Sequence, residues 1–283
     1  MLAPTATTPT IAGRTPGQEL AQALEKSPDG EVIVDLPISL PTTFPFFAAR
    51  PRYTVRHLLG DPHPGRDGTP YVIEPVGERT PSQSGTSYTS SPEAAFEPRL
   101  AEARLTTLTA TVPLPGGLTA HPDLLAAHID RRVVVRLCTI ENEALLHGSQ
   151  DGVVPGLLGV PGRRAARGRG RLDRDLAWAA GLVEETGGSC DGIVVHPDIY
   201  WRLAVGGTLE NLNGGGIRVS RTRMIPRGSA LLGDFRAVAT LIDPADSRLV
   251  LRRDPDVIEA SHHLGLAVHL PQHLVLLDLG EDG

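Results

Sequence analysis

The sequence predicts an α+β fold built from a long helical spine, an extended two-stranded arm and a compact α/β unit. Three observations carry this. One apolar stripe runs through residues 122–147, two β-like runs flank a serine-rich polar segment between 69 and 112, and helix-like and strand-like segments alternate from 172 to 242. At 283 residues with 40% apolar content, the chain can bury a sizeable core as one large domain or two ordinary ones.

Residues 1–36 read as an N-terminal segment. Its start, MLAPTATTPTIAGRTPG, lacks the basic opening and apolar stretch of a secretory signal and is expected to be a flexible leader. GQELAQALEK, 17–26, spaces Leu20 and Leu24 four apart as a short amphipathic helix does, SPDG turns the chain, and EVIVDL reads as a strand. The proline-rich stretch 37–68 is a linker. Residues 69–112 hold TPYVIEPVGE and ARLTTLTATVPL around RTPSQSGTSYTSSPEAAFEP, which predicts an arm with a polar tip. Such an arm has little core of its own, so a neighbouring surface must cover its apolar side.

The stretch 113–150 contains the clearest element. Pro122 suits a first helical position, Asp123 complements the positive helix end, and Gly148 terminates the run. Leu125, Ile129, Val133, Leu137, Ile140 and Ala144 recur at spacings of three or four, predicting one helix about 39 Å long. From 151 to 242 the expected order is helix RDLAWAAGLVEET, buried strand GIVVHP, short helix DIYWRLAV, glycine-rich loop GGTLENLNGGG, strand IRVSRTRMIP and hairpin SALLGDFRAVATLID. Two strand-like runs within 243–283 are expected to return to the spine.

The net charge of −6 argues against a surface built throughout for nucleic acid. No tract offers the roughly 20 apolar residues of a membrane span. Two isolated cysteines, Cys138 and Cys190, suit a reducing cytoplasm better than a disulfide framework. The glycines at 148–162 follow a helix rather than precede one, so they do not form a phosphate cradle. His262, His263, His269 and His273 have no cysteine or carboxylate at standard ligand spacing and read as ordinary histidines. No nucleophile motif is present, and Glu141 with Glu143, like Glu184 with Glu185, reads as solvated charge. The one basic run, GRRAARGRGRLDRD, places Arg163, Arg164, Arg167, Arg169, Arg171 and Arg174 in either a solvated loop or an electrostatic patch on a pore or lumen. It lacks interleaved aromatics. No catalytic residue, metal or cofactor is expected; a small-molecule enzyme would need a convergent acid, base or nucleophile set.

The order of motifs is informative. A spine ending in LLHGSQDGVVPGLLGV leads to GIVVHPDIYWRLAV, then to Pro226-x-Gly and a Gly-Asp-Phe strand at 233–235, and then to terminal strands. This order resembles the major capsid protein of tailed bacteriophages, the Hong Kong 97-type fold shared with bacterial encapsulin nanocompartments, over about residues 30–280. The resemblance implies an N-terminal segment, an extended β-arm, a peripheral domain on the spine, an axial domain at 151–242, and self-assembly into an icosahedral shell, the smallest of about sixty copies. It places Gly206, Gly207, Glu210, Asn211, Asn213 and Gly214 around a five-fold pore, where Glu210 either forms a charged ring or points into solvent. Some phage members cross-link through a lysine in the arm; Lys26 is the only lysine here, so that chemistry is excluded. The helix at 17–26 resembles the one lining encapsulins, which favours a cytoplasmic nanocompartment whose inner face, including Gln18, Leu20 and Leu24, meets a cargo enzyme. A phage capsid enclosing DNA is the alternative. Neither reading involves a membrane.

Overall fold

The structure, a computed structural model, describes residues 13–27, 30–40, 53–75, 98–253 and 255–280. Thr15 caps helix α1 (Pro16–Lys26): its hydroxyl accepts the Gln18 N–H, and the Gln18 side chain accepts the Thr15 N–H. Strand β1 (Val32–Leu36), helix α2 (Arg56–Leu59) and strand β2 (Thr69–Ile73) follow. Strand β3 (Arg99–Ala103), not expected from the sequence, precedes strand β4 (Thr106–Pro113), which is the expected run at 103–114. The break at Arg104–Leu105 sends them to different sheets: β3 pairs with β2 as a ribbon, while β4 pairs with the body of the molecule. The polar arm tip at 76–97 lies outside the described residues.

The spine consists of α3 (Pro122–His128) and α4 (Val134–His147), joined by a π turn at Ile129–Val133. The sequence explains the departure from one regular helix. Leu125, Ile129, Val133 and Leu137 are spaced by four, and in a helix of 3.6 residues per turn such a row drifts off the buried face. A wider turn absorbs the excess, and all four are at most 4% exposed. Gly148 (φ 94°) ends α4, and the chain folds back so that Leu157 donates to the Leu145 carbonyl. Gly156 permits this approach, since a Cβ there would lie 2.2 Å from the His147 carbonyl carbon.

Strand β5 (Arg164–Arg167), helix α5 (Leu172–Glu184), strand β6 (Gly192–Val195), helices α6 (Pro197–Val205) and α7 (Thr208–Gly214), strands β7 (Arg218–Arg221) and β8 (Ser229–Gly233), and helix α8 (Phe235–Val238) come next. Strands β9 (Ala239–Ile242), β10 (Ser247–Arg252), β11 (Val257–Val268) and β12 (Leu274–Asp278) complete the chain. The first sheet runs β1-β10-β11-β4, with β9 also on β11; the second runs β5-β12-β8-β6-β7. The spine and α1 share a core with the first sheet, and α5, α6 and α7 cover the second.

Several expectations are corrected. The expected hairpin at 229–243 is two strands of different sheets, because Asp234 caps α8 by accepting the Ala237 N–H and Phe235 is fully buried. The last strand does not return to the spine: the 3₁₀ turn Pro271–His273 redirects it between β5 and β8, where Val275 and Leu277 are fully buried. The expected strand at 217–226 is regular only over Arg218–Arg221. GGTLENLNGGG contains α7 instead of forming a loop, because Leu209 and Leu212 pack on the core beneath the second sheet's helices.

Candidate assembly surfaces

The ribbon of β2 and β3 has two unlike faces. Pairing sets Val72 opposite Leu100 and Tyr71 opposite Ala101. Tyr71 meets the edge of the His269 ring at 5.4 Å and joins Ala103, Ile242 and Ala267 in a small core. The end of β2 nearer the tip is tied to the body: Glu74 N–H donates to the His269 carbonyl at 2.7 Å, His269 Nδ1 lies 2.8 Å from the Val72 carbonyl, and Gln272 Nε2 donates to the Glu74 carbonyl at 3.0 Å. On the opposite face, Val72 is 45% and Leu100 80% exposed, a cross-strand apolar pair in water.

A second assembly of side chains, not anticipated from sequence, is closed to solvent. Arg56, on α2, is 1% exposed and grips Glu141 of the spine through Nε at 3.0 Å and Nη2 at 2.6 Å. Its Nη1 donates to Asp243 at 2.6 Å, and Nη2 lies 3.3 Å from His262 Nε2. Ser247 Oγ donates to the Ile38 carbonyl at 3.0 Å and lies 2.8 Å from His262 Nδ1, so the imidazole proton belongs on Nδ1 and Nε2 is left to accept from Arg56. Burial lowers the His262 pKa and favours that neutral form. Burial also opposes the Arg56 charge, but Glu141 and Asp243 outweigh it and the guanidinium's pKa is raised. This corrects the reading of Glu141 as solvated: it is fully buried, while Glu143 is exposed. The cluster joins four segments distant in sequence, and its enclosure leaves no access for a substrate.

A third region ties α2 to the second sheet. Arg218 donates to the His57 and Leu58 carbonyls and lies 3.5 Å from Asp191. The His57 ring stacks on Tyr53 at 4.3 Å, and burial together with Arg218 and Arg236 lowers its pKa to about 4.

No protein-family model and no curated protein matches the sequence. Solved structures do. The capsid of a native GTA particle covers 80% of this chain and 96% of its own, with TM-score 0.55 and 14% identity. A chain from Microbacterium phage Oxtober96 covers 75% and 86%, with TM-score 0.54 and 14% identity. One from Mycobacterium phage Ogopogo covers 80% and 91%, with TM-score 0.53 and 15% identity. The chain has the Hong Kong 97-type capsid fold.

Within this capsid fold, the residues expected at a pore lie on and beside α7. Gly206 follows α6, Gly207 (φ 73°) starts α7 in the left-handed region, and Glu210, Asn211, Asn213 and Gly214 are exposed. Neighbouring α6 exposes Trp201 and Val205, one turn apart, with Arg221 over the Tyr200 and Trp201 rings at 4.3 and 5.3 Å. The expected cargo residues are corrected. Leu20 and Leu24 are at most 5% exposed in the chain's own core, and the Gln18 side chain is engaged in the cap. They hold α1 on the spine, where Gly17 donates to Asp130 at 2.9 Å. What α1 offers outward is a groove against β1 of 530 Å³, lined by Glu19, Gln22, Lys26, Ile33 and Asp35 among others.

Both cysteines are free and buried, and burial pushes the Cys190 thiol up to about 12. Among the described residues, no group of histidine, cysteine and carboxylate side chains is arranged to hold a metal, and no helix is long and apolar enough to cross a membrane.

Proposed function

We propose that this chain is the subunit of a closed icosahedral shell of about sixty copies or a larger multiple, assembled in the cytoplasm around a cargo enzyme as encapsulins are. The observation that carries the shell reading is the ribbon: a capsid fold extends a two-stranded arm whose Val72–Leu100 face stays exposed among the described residues. Covering such a face with a second copy releases about 1.5–3 kcal/mol per large apolar side chain. In this reading α7 surrounds the five-fold axis, and five copies of Glu210 make the opening favour cations at low ionic strength. The groove between α1 and β1 replaces Leu20 and Leu24 as the surface offered to cargo. The docked, capped α1 favours the nanocompartment, since it gives the N-terminal segment a fixed place on the spine.

A second reading, a phage capsid enclosing DNA, is supported by the phage chains among the matching structures. Particles from the native host decide between them. A nanocompartment absorbs like protein and carries one dominant co-purifying enzyme, whereas packaged DNA rejects the cargo-enzyme reading and leaves the shell intact.

A further inference from the structure

The basic run of 163–174 is not the loose loop its glycines suggest. Arg164 is half-buried in β5, donates to the Leu182 carbonyl and pairs with Glu185 at 3.5 Å. Beyond the strand, the Asp175 carboxylate accepts the backbone N–H groups of Arg169 and Arg171 at 2.9 Å each. That carboxylate is turned inward and is 4% exposed, so the turn is held from beneath by its one buried acid. Arg167, Arg169, Arg171 and Arg174 all stay exposed, and none forms an ion pair among the described residues. Asp173 is the one exposed carboxylate within the run.

The aromatic group missing from the run itself is supplied by the fold. Helix α5 begins inside the run, and Trp178 follows Arg174 by four residues, which puts both on one face one turn apart. Trp178 is 44% exposed. Gly181, three residues further along that face, has open space where a side chain would stand, so the indole is not roofed by its own helix. A run of exposed guanidiniums that ends one helical turn from a partly exposed indole matches a flexible polyanion that carries flat rings. Phosphates meet the arginines and a base stacks on the tryptophan. An acidic peptide would satisfy the arginines but would not need the aromatic platform, and a duplex would keep its bases stacked away from it.

We propose that the Arg167–Arg174 turn and Trp178 form a docking site for single-stranded nucleic acid, read by backbone charge and stacking with no sequence preference. The site does not depend on the shell, because all of its residues lie on one chain.

The test uses the full-length chain, in whatever assembly it forms, with Trp201→Phe so that Trp178 is the only remaining one of the two tryptophans. A short fluorescein-labelled oligodeoxythymidylate is titrated at several salt concentrations. Saturable binding with quenching of Trp178 emission is expected. Changing all four exposed arginines to Gln should weaken binding more than tenfold and reduce the logarithmic salt slope by about 3, at about 0.7 per phosphate contact. Trp178→Ala should weaken it about five- to a hundredfold while leaving the salt slope unchanged. Absence of binding, binding without quenching of Trp178, or equal binding of polyglutamate or duplex DNA would each overturn the proposal.

Discussion

In the spine, Leu125, Ile129, Val133 and Leu137 are at most 4% exposed, whereas in the β2–β3 ribbon Val72 is 45% and Leu100 80% exposed. Both regions spend large aliphatic residues, but the spine meets a five-stranded sheet of its own chain, and the ribbon's outer face packs on none of the apolar clusters among the described residues. The spine is further locked by buried charge, Arg56 between Glu141 and Asp243, while the ribbon is held to the body on its inner side, through Tyr71 and the backbone of Val72 and Glu74. The contrast separates two kinds of stability: one belonging to the subunit, the other to contacts between subunits.

Substitutions can break that contrast. The largest effect on the subunit is expected from Arg56→Ala, which strands Glu141 and Asp243 without a counter-charge; a loss of about 3–5 kcal/mol should appear in chemical denaturation of unassembled protein. A loss below about 1 kcal/mol would mean that the cluster does not lock the spine.

The link between α2 and the second sheet should respond to acid. The His57 pKa is about 4 in the folded state against 6.5 unfolded, so the unfolded chain binds the extra proton between those values. This contribution is complete above pH 6.5, declines as pH falls and is gone near pH 4. Allowing for the ring's partial exposure, it amounts to about 1–2 kcal/mol. The protonated ring would face Arg218 and Arg236, with Asp191 as the nearby acid and Tyr53 stacked against it. Denaturation of His57→Phe at both ends of the window should show a smaller acid loss than the parent; equal losses would place the sensitivity elsewhere.

The smallest effect on folding belongs to the ribbon. Val72→Ser with Leu100→Ser should change subunit stability by no more than about 0.5 kcal/mol, as surface substitutions do. The same pair should raise the protein concentration needed for assembly at least tenfold by light scattering. A large loss of subunit stability would show that the exposed pair already serves its own chain.

Which parts of this were legible follows from the range of the interactions. The spine's stripe and the Gly148 exit are written in local spacing, and both are present, whereas the expected pairing of the runs at 69–78 and 103–114 is replaced by β2 on β3 and β4 on β11. The π turn was implicit in the row of fours from Leu125 to Leu137 but reads as ordinary periodicity unless the drift is counted. The Arg56 cluster was hidden because its other members lie 85 to 206 residues from Arg56, and Glu141 beside Glu143 looks solvated until the helix turns one inward and the other out. At α7, five flanking glycines masked the Leu209 and Leu212 contacts that make it helical. Leu20 and Leu24 were correctly placed on one helix face, but spacing alone does not say whether a face meets its own core or a partner.

The measurement that bears most directly on the shell is particle size, by electron microscopy, for the purified chain and for a chain in which residues 72–100 are replaced by a short glycine linker, a deletion that spares β4 and the Tyr71 and Ala103 contacts. The intact chain is expected to form closed, uniform icosahedral particles, and the deleted chain to remain folded but unassembled, since the proposed shell buries the arm's outer face only between subunits. Monomers to tetramers from the intact chain, or closed particles from the deleted one, would contradict it.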